Sequence, residues 1–407
     1  MRDLASLLTA AAARPAESAA PEFVATLLDE AARRGASDAY LEPGDGIYRV
    51  RYRVDGVFQD VDGVPLELAE RAIARLKVLA RLVVYRKETP QEGHFVHNSE
   101  DGEKADGDCP SPASGSGKCP QDVRASFFPT VRGERVVCRF FERADERRSL
   151  EELGLGDSVL AEVKATLGRP QGLFIVAGPA GSGKTTTLYA CLAHLLATRG
   201  TFANLVSVED PVERLLAGVH QTAIHPAQGM TYPVALRSLL RQDPEILLLG
   251  EIRDAETAAI AVEAGLTGHL VLTSLHAADA PDAFLRLVSL GVEPFMAASA
   301  VSAVLVLRLV RLLCRDCRVP TAPAGPWTAA GCERCGHTGY RGRAPLAEFL
   351  PCSADTAQAL REGLASRELA AKLAERRTST LQTHGRARLA AGETTASELA
   401  RVLGTLA

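Results

Sequence analysis

The segment Gly178-Pro-Ala-Gly-Ser-Gly-Lys-Thr185 has residue types and spacing that specify chemistry directly. It reads G-x-x-x-x-G-K-T, a loop built to hold phosphate. Its glycines let the backbone close around an anion with N–H groups pointing inward. Lys184 is expected to reach the β- and γ-phosphates of ATP, and the Thr185 hydroxyl to ligate Mg²⁺. The expected nucleotide contacts are Gly178, Pro179, Ala180, Gly181, Ser182, Gly183, Lys184, Thr185 and Thr186.

Hydrolysis also needs a group that activates water. Ile246-Leu-Leu-Leu-Gly-Glu251 is an apolar run ending in an acid, which makes Glu251 the expected general base. Gly250 stands where an Asp usually precedes that Glu. A carboxylate on the Mg²⁺ side must then come from elsewhere, and Glu209 or Asp210, ending the run from Val206, could supply it. His269 and His276 flank the run Leu270 to Ser274, and both could approach the γ-phosphate.

Cys314-Arg-Asp-Cys317 and Cys332-Glu-Arg-Cys335 are two C-x-x-C pairs. Four thiolates so spaced can close a tetrahedral Zn²⁺ site with no open position, hence a structural one. Cys109 and Cys119, in a polar stretch, read as incidental, and Cys138, Cys191 and Cys352 as packing residues.

The phosphate loop needs a strand to enter it and a helix to leave it. Leu173 to Ala177 and Thr186 to Leu196 supply these. Further continuous apolar runs, Asn204 to Val208, Ile246 to Leu249 and Leu270 to Thr273, alternate with helical stretches. They predict an α/β fold with a parallel sheet covered on both faces. Upstream, a helical pattern begins at Pro21, Tyr48 to Val54 alternates as a strand, Asp55-Gly56 supplies a turn, a helix spans Leu66 to Leu82, and Val123 to Phe141 reads as more strand. The expected organisation is a flexible tail (1–20), a small α+β domain (21–142, with a flexible insert at 98–121), a P-loop core (150–313), a zinc knuckle (314–336) and a helical C-terminal part (337–407).

The 407 residues are 46% apolar and 24% charged, with a net charge of -4, so no basic footprint points to a nucleic-acid partner. Arg2, Asp3 and Arg14 interrupt the start of the chain, which argues against a secretory signal. The longest apolar stretch, Phe295 to Leu307, is shorter than the roughly 20 residues a membrane span needs and reads as a buried helix. The expected location is the cytoplasm, and any membrane role must be peripheral.

Over about residues 21 to 403 the chain resembles the secretion ATPases of type II secretion and type IV pilus assembly. The resemblance rests on Gly178–Thr187, Val208-Glu-Asp-Pro-Val-Glu213, Leu240–Ile246 with Gly250-Glu-Ile-Arg-Asp254, and Leu266-Thr-Gly-His-Leu-Val-Leu-Thr-Ser-Leu-His-Ala-Ala-Asp-Ala280. In the small domain it rests on Arg34–Asp38, Val50–Gly56 and Gly133–Val137. It implies a RecA-like ATPase domain with a PAS-like small domain, assembled as a homo-hexamer and working with an inner-membrane platform protein. It also implies that Arg124 and Arg139 approach the phosphates and that Arg237 and Arg241 match family arginines. The four-Cys cluster favours assembly or export over retraction. The chain departs from the family pattern at Ala39–Pro43, at Pro90-Gln-Glu-Gly-His94 and before Asp279, and the extra N-terminal docking domain of many members is expected to be absent. The alternatives are a DNA-uptake or conjugation ATPase of the same superfamily and a nucleotide-sensing subunit without turnover. Intact Lys184, Glu209 and Glu251 argue against the second.

Overall fold

The computed structural model describes residues 4, 8, 15–98, 120–141, 149–200, 203–321, 326–361 and 366–404. Cys109, Cys119 and nearly all of the expected insert lie outside them. The chain divides into two compact units, Met1–Glu146 and Arg147–Ala407.

In the first unit, helices α1 (Ala16–Arg33) and α2 (Leu66–Leu79) accompany six strands. These are β1 (Ala36–Pro43), β2 (Ile47–Val54), β3 (Val57–Pro65), β4 (Gln91–Asn98), β5 (Pro120–Thr130) and β6 (Gly133–Phe140). They form an antiparallel sheet in the order β3-β2-β1-β6-β5-β4. Strand alternation sends Leu41, Val50, Tyr52, Val123 and Phe127 into a core shared with Phe23, Leu27, Ile73 and Leu76 of the helices. The opposite parity carries a cross-strand row, His94, Arg124, Arg139, Asp38 and Arg53, read from the register. The start of the chain corrects the expected loose tail. α1 begins before Pro21, its Ala19 and Ala20 are buried, and the buried Leu4 donates its N–H to Glu30 at 3.0 Å. Alanine has both the helix propensity and the small volume this packing asks for.

The second unit holds a seven-stranded sheet in the order β15-β12-β7-β11-β10-β8-β9. Its strands are β7 (Gly172–Ala177), β8 (Leu205–Glu209), β9 (His220–Ala223), β10 (Ile246–Leu249), β11 (Leu270–Leu275), β12 (Val301–Leu313) and β15 (Tyr340–Pro351). All neighbours pair in parallel except β12 with β15. Helices α3 (Asp157–Leu167) and α4 (Lys184–Arg199) cover one face, against Phe174 and Val176. Helices α5 (Tyr232–Leu239), α6 (Ala255–Leu266), α7 (Ala280–Ser289) and α8 (Pro294–Ala300) cover the other, against Leu173 and Ile175. A short ribbon, β13 (Arg318–Pro320) with β14 (Trp327–Ala329), leaves the sheet, and α9 (Ala354–Arg361), α10 (Ser366–Ala374), α11 (Leu381–Ala390) and α12 (Ala396–Leu403) end the chain.

Two expectations about elements need correction. Phe295 to Leu307 is not one buried helix, because the helix stops at Ala300 and the chain enters β12. Val301, Val304, Val306 and Val310 are β-branched; Val304 and Val306 pair on both edges, with β7 and β15, while Val301 pairs with β7 and Val310 with β15. The segment after residue 336 is not wholly helical, since β15 closes the sheet before the four helices begin. Among the described residues no helix is long and apolar enough to cross a membrane.

Candidate functional site

β7 runs straight into the phosphate loop, and α4 starts at Lys184. Gly178, with φ of 146°, shows why a side chain is excluded there. A Cβ would lie 2.5 Å from the Leu307 carbonyl oxygen and 2.6 Å from Ser182 Oγ. The Ser182 hydroxyl is buried with no hydrogen-bond partner among the described residues. Lys184 Nζ donates to the carbonyl oxygens of Gly178 and Pro179, each at 3.0 Å. Burial foremost, then the nearby Arg308, pulls the Lys184 pKa down, while Glu251 opposes the shift. An orphaned hydroxyl and an ammonium folded onto loop carbonyls are donors that a phosphate chain would satisfy. The first turn of α4, with Thr185 and Thr186, adds its positive end.

Parallel register brings the carboxyl ends of β7, β8, β10 and β11 to one edge of the sheet. The residues just past those ends are Gly178, Asp210, Gly250 with Glu251, and His276. Ligands of open α/β sheets bind at such an edge. His276 Nε2 lies 3.7 Å from Glu251 Oε2. Arg253 pairs with Glu251 and reaches Asp210 at 3.6 Å. Burial first, then the charges of Lys184 and Arg253, hold the His276 imidazole below the usual histidine range. A neutral imidazole beside a carboxylate can orient a water for that carboxylate to deprotonate. Gly250 has its own explanation, because a Cβ there would stand 3.0 Å from the Tyr232 hydroxyl and 3.3 Å from the Val208 carbonyl oxygen.

The geometry gives four expected site residues partners or positions away from the phosphate loop of their own chain. Glu209 is buried and offers no oxygen to the phosphate loop. It accepts from Tyr189, from Ser207 at 2.6 Å and from Gln221 at 3.1 Å, which ties α4 to β8. Burial, then this bond to Glu209, raises the Tyr189 hydroxyl pKa. Asp210 is the acid of that pair that faces the site. His269 sits at the other edge of the sheet, where its carbonyl accepts from Gly172 N–H at 3.0 Å. The strands between span roughly 20 Å at about 3.3 Å per residue, so His269 does not reach the phosphate loop of its own chain. Its ring Nδ1 lies 3.0 Å from the Ala264 carbonyl oxygen. Arg237 is exposed and paired with Glu256. Arg241 precedes β10, beside Gln242 and Asp243, whose carbonyls accept from Asn204 at 2.9 and 3.0 Å. That is the strand-entry edge, away from Lys184.

In the first unit Arg139 Nε pairs with buried Asp38 at 2.9 Å, and Arg124 pairs with Glu92. Sequence reasoning missed Arg253, Arg308 and Tyr232 as parts of the site. Arg253 carried the only available signal, two residues past Glu251 in a segment already marked by the resemblance. Arg308 and Tyr232 come from distant segments with no motif of their own.

Cys314, Cys317, Cys332 and Cys335 gather with their sulfur atoms all within 4.8 Å of one another. The close pairs, 314 with 332, 317 with 335 and 332 with 335, are 3.9, 3.8 and 3.8 Å apart. A tetrahedron of sulfurs about 2.3 Å from a zinc ion has edges of roughly 3.8 Å. Backbone N–H groups of Cys332 and Gly339 each donate to Cys335 Sγ at 3.2 Å. Burial pushes the Cys335 thiol pKa up, but these donors and the neighbouring sulfurs outweigh it and bring it to about 6. The donor set fits Zn²⁺.

The sequence matches the family described as Type II/IV secretion system protein over residues 15–106 and 113–401. It is 42% identical over 382 residues to the type II secretion system protein HxcR of Pseudomonas aeruginosa, covering 93% of this chain and 76% of that one. It is 37% identical over 393 residues to type II secretion system protein E of Dickeya dadantii, covering 93% and 75%. It is 36% identical over 396 residues to the type IV pilus assembly ATPase PilB of Myxococcus xanthus, covering 93% and 67%. Its fold is similar to that of the ATPase DotB of Yersinia pseudotuberculosis, with a TM-score of 0.71 at 18% identity, covering 95% of this chain and 94% of that one. The pilus retraction motor PilT with bound ADP shares the fold at a TM-score of 0.59 and 21% identity, covering 93% and 96%. With its phosphate loop, its acid–histidine pair and this breadth of match, the chain belongs to the type II/IV secretion system protein family, whose members hydrolyse ATP.

Proposed function

We propose that this protein is a subunit of a hexameric motor that hydrolyses Mg²⁺-ATP at the cytoplasmic face of the inner membrane, powering type II secretion or type IV pilus-like assembly through a membrane platform protein. The observation that carries this reading is Glu251 beside His276, one strand end away from Lys184 and the phosphate loop. Glu251 acts as general base on water, and His276 orients it. Thr185 and Asp210 would hold Mg²⁺, which would neutralise charge on the phosphates. Lys184, Ser182 and the loop amides bind the phosphate chain. The pairing of Arg253 with Glu251 must open for the base to accept a proton. Arg124 and Arg139 of the small domain add positive charge to the transferring phosphoryl group, and Arg237 and Arg241 serve a neighbouring subunit. Zn²⁺ held by the four cysteines is structural. No direct contact with nucleic acid is needed.

The test is Glu251→Gln, which keeps shape and removes the base. Turnover of Mg²⁺-ATP should fall by about 100-fold or more while nucleotide binding persists. Near-normal phosphate release would overturn the assignment.

A further inference from the structure

The peptide between His276 and α7 is held by side chains from two neighbouring strands. Arg308, on β12, donates from Nη2 to the Ala278 carbonyl oxygen at 2.7 Å and from Nη1 to its own strand's Leu307 carbonyl oxygen at 3.0 Å. That Leu307 carbonyl is the group that abuts Gly178, the first residue of the phosphate loop. Glu348, on β15, stands opposite Val306 and so shares a sheet face with Arg308. Its Oε1 accepts the Ala280 N–H at 2.8 Å, and its Oε2 pairs with Arg377 at 3.0 Å. Asp282 accepts the Ala278 N–H at 2.7 Å. Glu348 is 1% exposed, so this carboxylate is committed to its partners. A buried charge is retained at a cost, and breaking one of its bonds strands the other group.

We propose that Arg308 and Glu348 form a two-point clamp on residues 278–280, and that this clamp fixes the His276 imidazole against Glu251 and the phosphate loop. Both are positioning residues for ATP hydrolysis. The proposal rests on the reading of Glu251 and His276 given above. The clamp also has a far end. Arg377 follows α10, so the C-terminal helices are tied by one ion pair to the loop that carries His276. A cavity of about 270 Å³ borders Arg308, Glu348 and Arg377 together with Leu381 and Val402 of the C-terminal helices. It gives solvent a route to the clamp, so substitutions there can be hydrated without a packing collapse.

The experiment uses the full chain. Arg308→Met and Glu348→Met keep the stems and remove the polar contacts, whereas Glu348→Gln keeps an acceptor for the Ala280 N–H. Steady-state kcat should fall about tenfold in the two Met variants with the KM for ATP within about twofold, since a small misplacement acts on the chemical step. Glu348→Gln should recover most of the turnover. The same substitutions made in a His276→Gln background should cost nothing further, because residues acting as one unit are non-additive. If Glu348→Met does not fold, the half-buried Arg308 alone carries the cycle. A multiplicative loss in the His276→Gln background, or normal kcat in the Met variants while His276→Gln is slow, overturns the clamp alone. Normal turnover of His276→Gln itself overturns both the site reading and the clamp built on it.

Discussion

Gly250 occupies a place where a second carboxylate is usual, and its neighbours account for the substitution. The Tyr232 hydroxyl and the Val208 carbonyl leave no room for a larger side chain without a shift. The acid beyond β8, Asp210, is therefore the better placed partner for a cation, while Glu209 spends its oxygens on Tyr189, Ser207 and Gln221. His384 is a residue whose protonation state is fixed by one bond. Its Nδ1 accepts from the Ala347 N–H at 3.0 Å, which only the neutral ring can do. Burial, helped by the charge of Arg388, holds its pKa below the usual histidine range. The unfolded chain then binds a proton that the folded chain refuses. Stability is full above the ordinary histidine pKa of about 6.5 and falls as the pH drops below it. Thermal melts at pH 7.5 and 5.5 should show this drop. His384→Asn, which retains an acceptor, should shrink the difference without abolishing it, because His194 and His276 are also held low.

At the scale of elements, β12 does more than its apolar composition suggests. One edge pairs with β7, the strand that feeds the phosphate loop, and the other pairs with β15. Its end delivers Cys314, and the cysteine cluster is fastened to the last helices. Leu313 N–H donates to the Glu393 carbonyl oxygen at 2.8 Å, Arg318 donates to that of Gly392 at 2.7 Å, and Arg311 pairs with buried Glu398 at 2.7 Å. Burial would raise the Glu398 pKa, but Arg401 and Arg311 outweigh it and bring it down to about 2. Zinc removal should therefore be felt through α11 and α12. Cys332→Ser, or treatment with a strong chelator, should release one zinc per chain and lower the unfolding free energy by at least about 2 kcal/mol. Metal analysis and thermal melts check both halves, and an unchanged melt with zinc lost would refute a structural role. The strands around the phosphate loop were legible in the sequence because each is short, apolar and bounded by turns. β12 was not, since a run of alternating Val, Ala and Leu fits a buried helix as well as a strand until its two partners are known.

For the whole molecule, two compact units share one chain, and the arginines proposed to meet the phosphates belong to the smaller one. In that unit the buried Asp38 holds Arg139, and Arg124 lies directly opposite Arg139 across β5 and β6. Each of these two like charges has a carboxylate beside it, Asp38 for Arg139 and Glu92 for Arg124. Arg139→Ala should lower kcat for ATP by roughly 100-fold or more, with little change in nucleotide affinity, if this charge acts in the transition state. Light scattering should find the wild-type chain as a hexamer in the presence of nucleotide. A chain that stays monomeric at full turnover would rule the ring out.

The sequence by itself determined the chemistry that depends on neighbours along the chain. Gly178 to Thr185, the acid ending Ile246–Glu251 and the paired cysteines are local patterns, because a loop, a strand end and a metal knuckle are each specified within a few residues. Only the tertiary structure decided which groups share the site. Parallel register put His276 beside Glu251 and sent His269 to the far edge, although both flank the same strand. It also gave Glu209 three internal partners and left Asp210 facing Arg253. Arg308, Glu348 and Arg377 come from separate elements, so their meeting was written nowhere in the local sequence. Contacts between distant segments are fixed by strand order and side-chain parity across the sheet, and these exist only once the strands have paired.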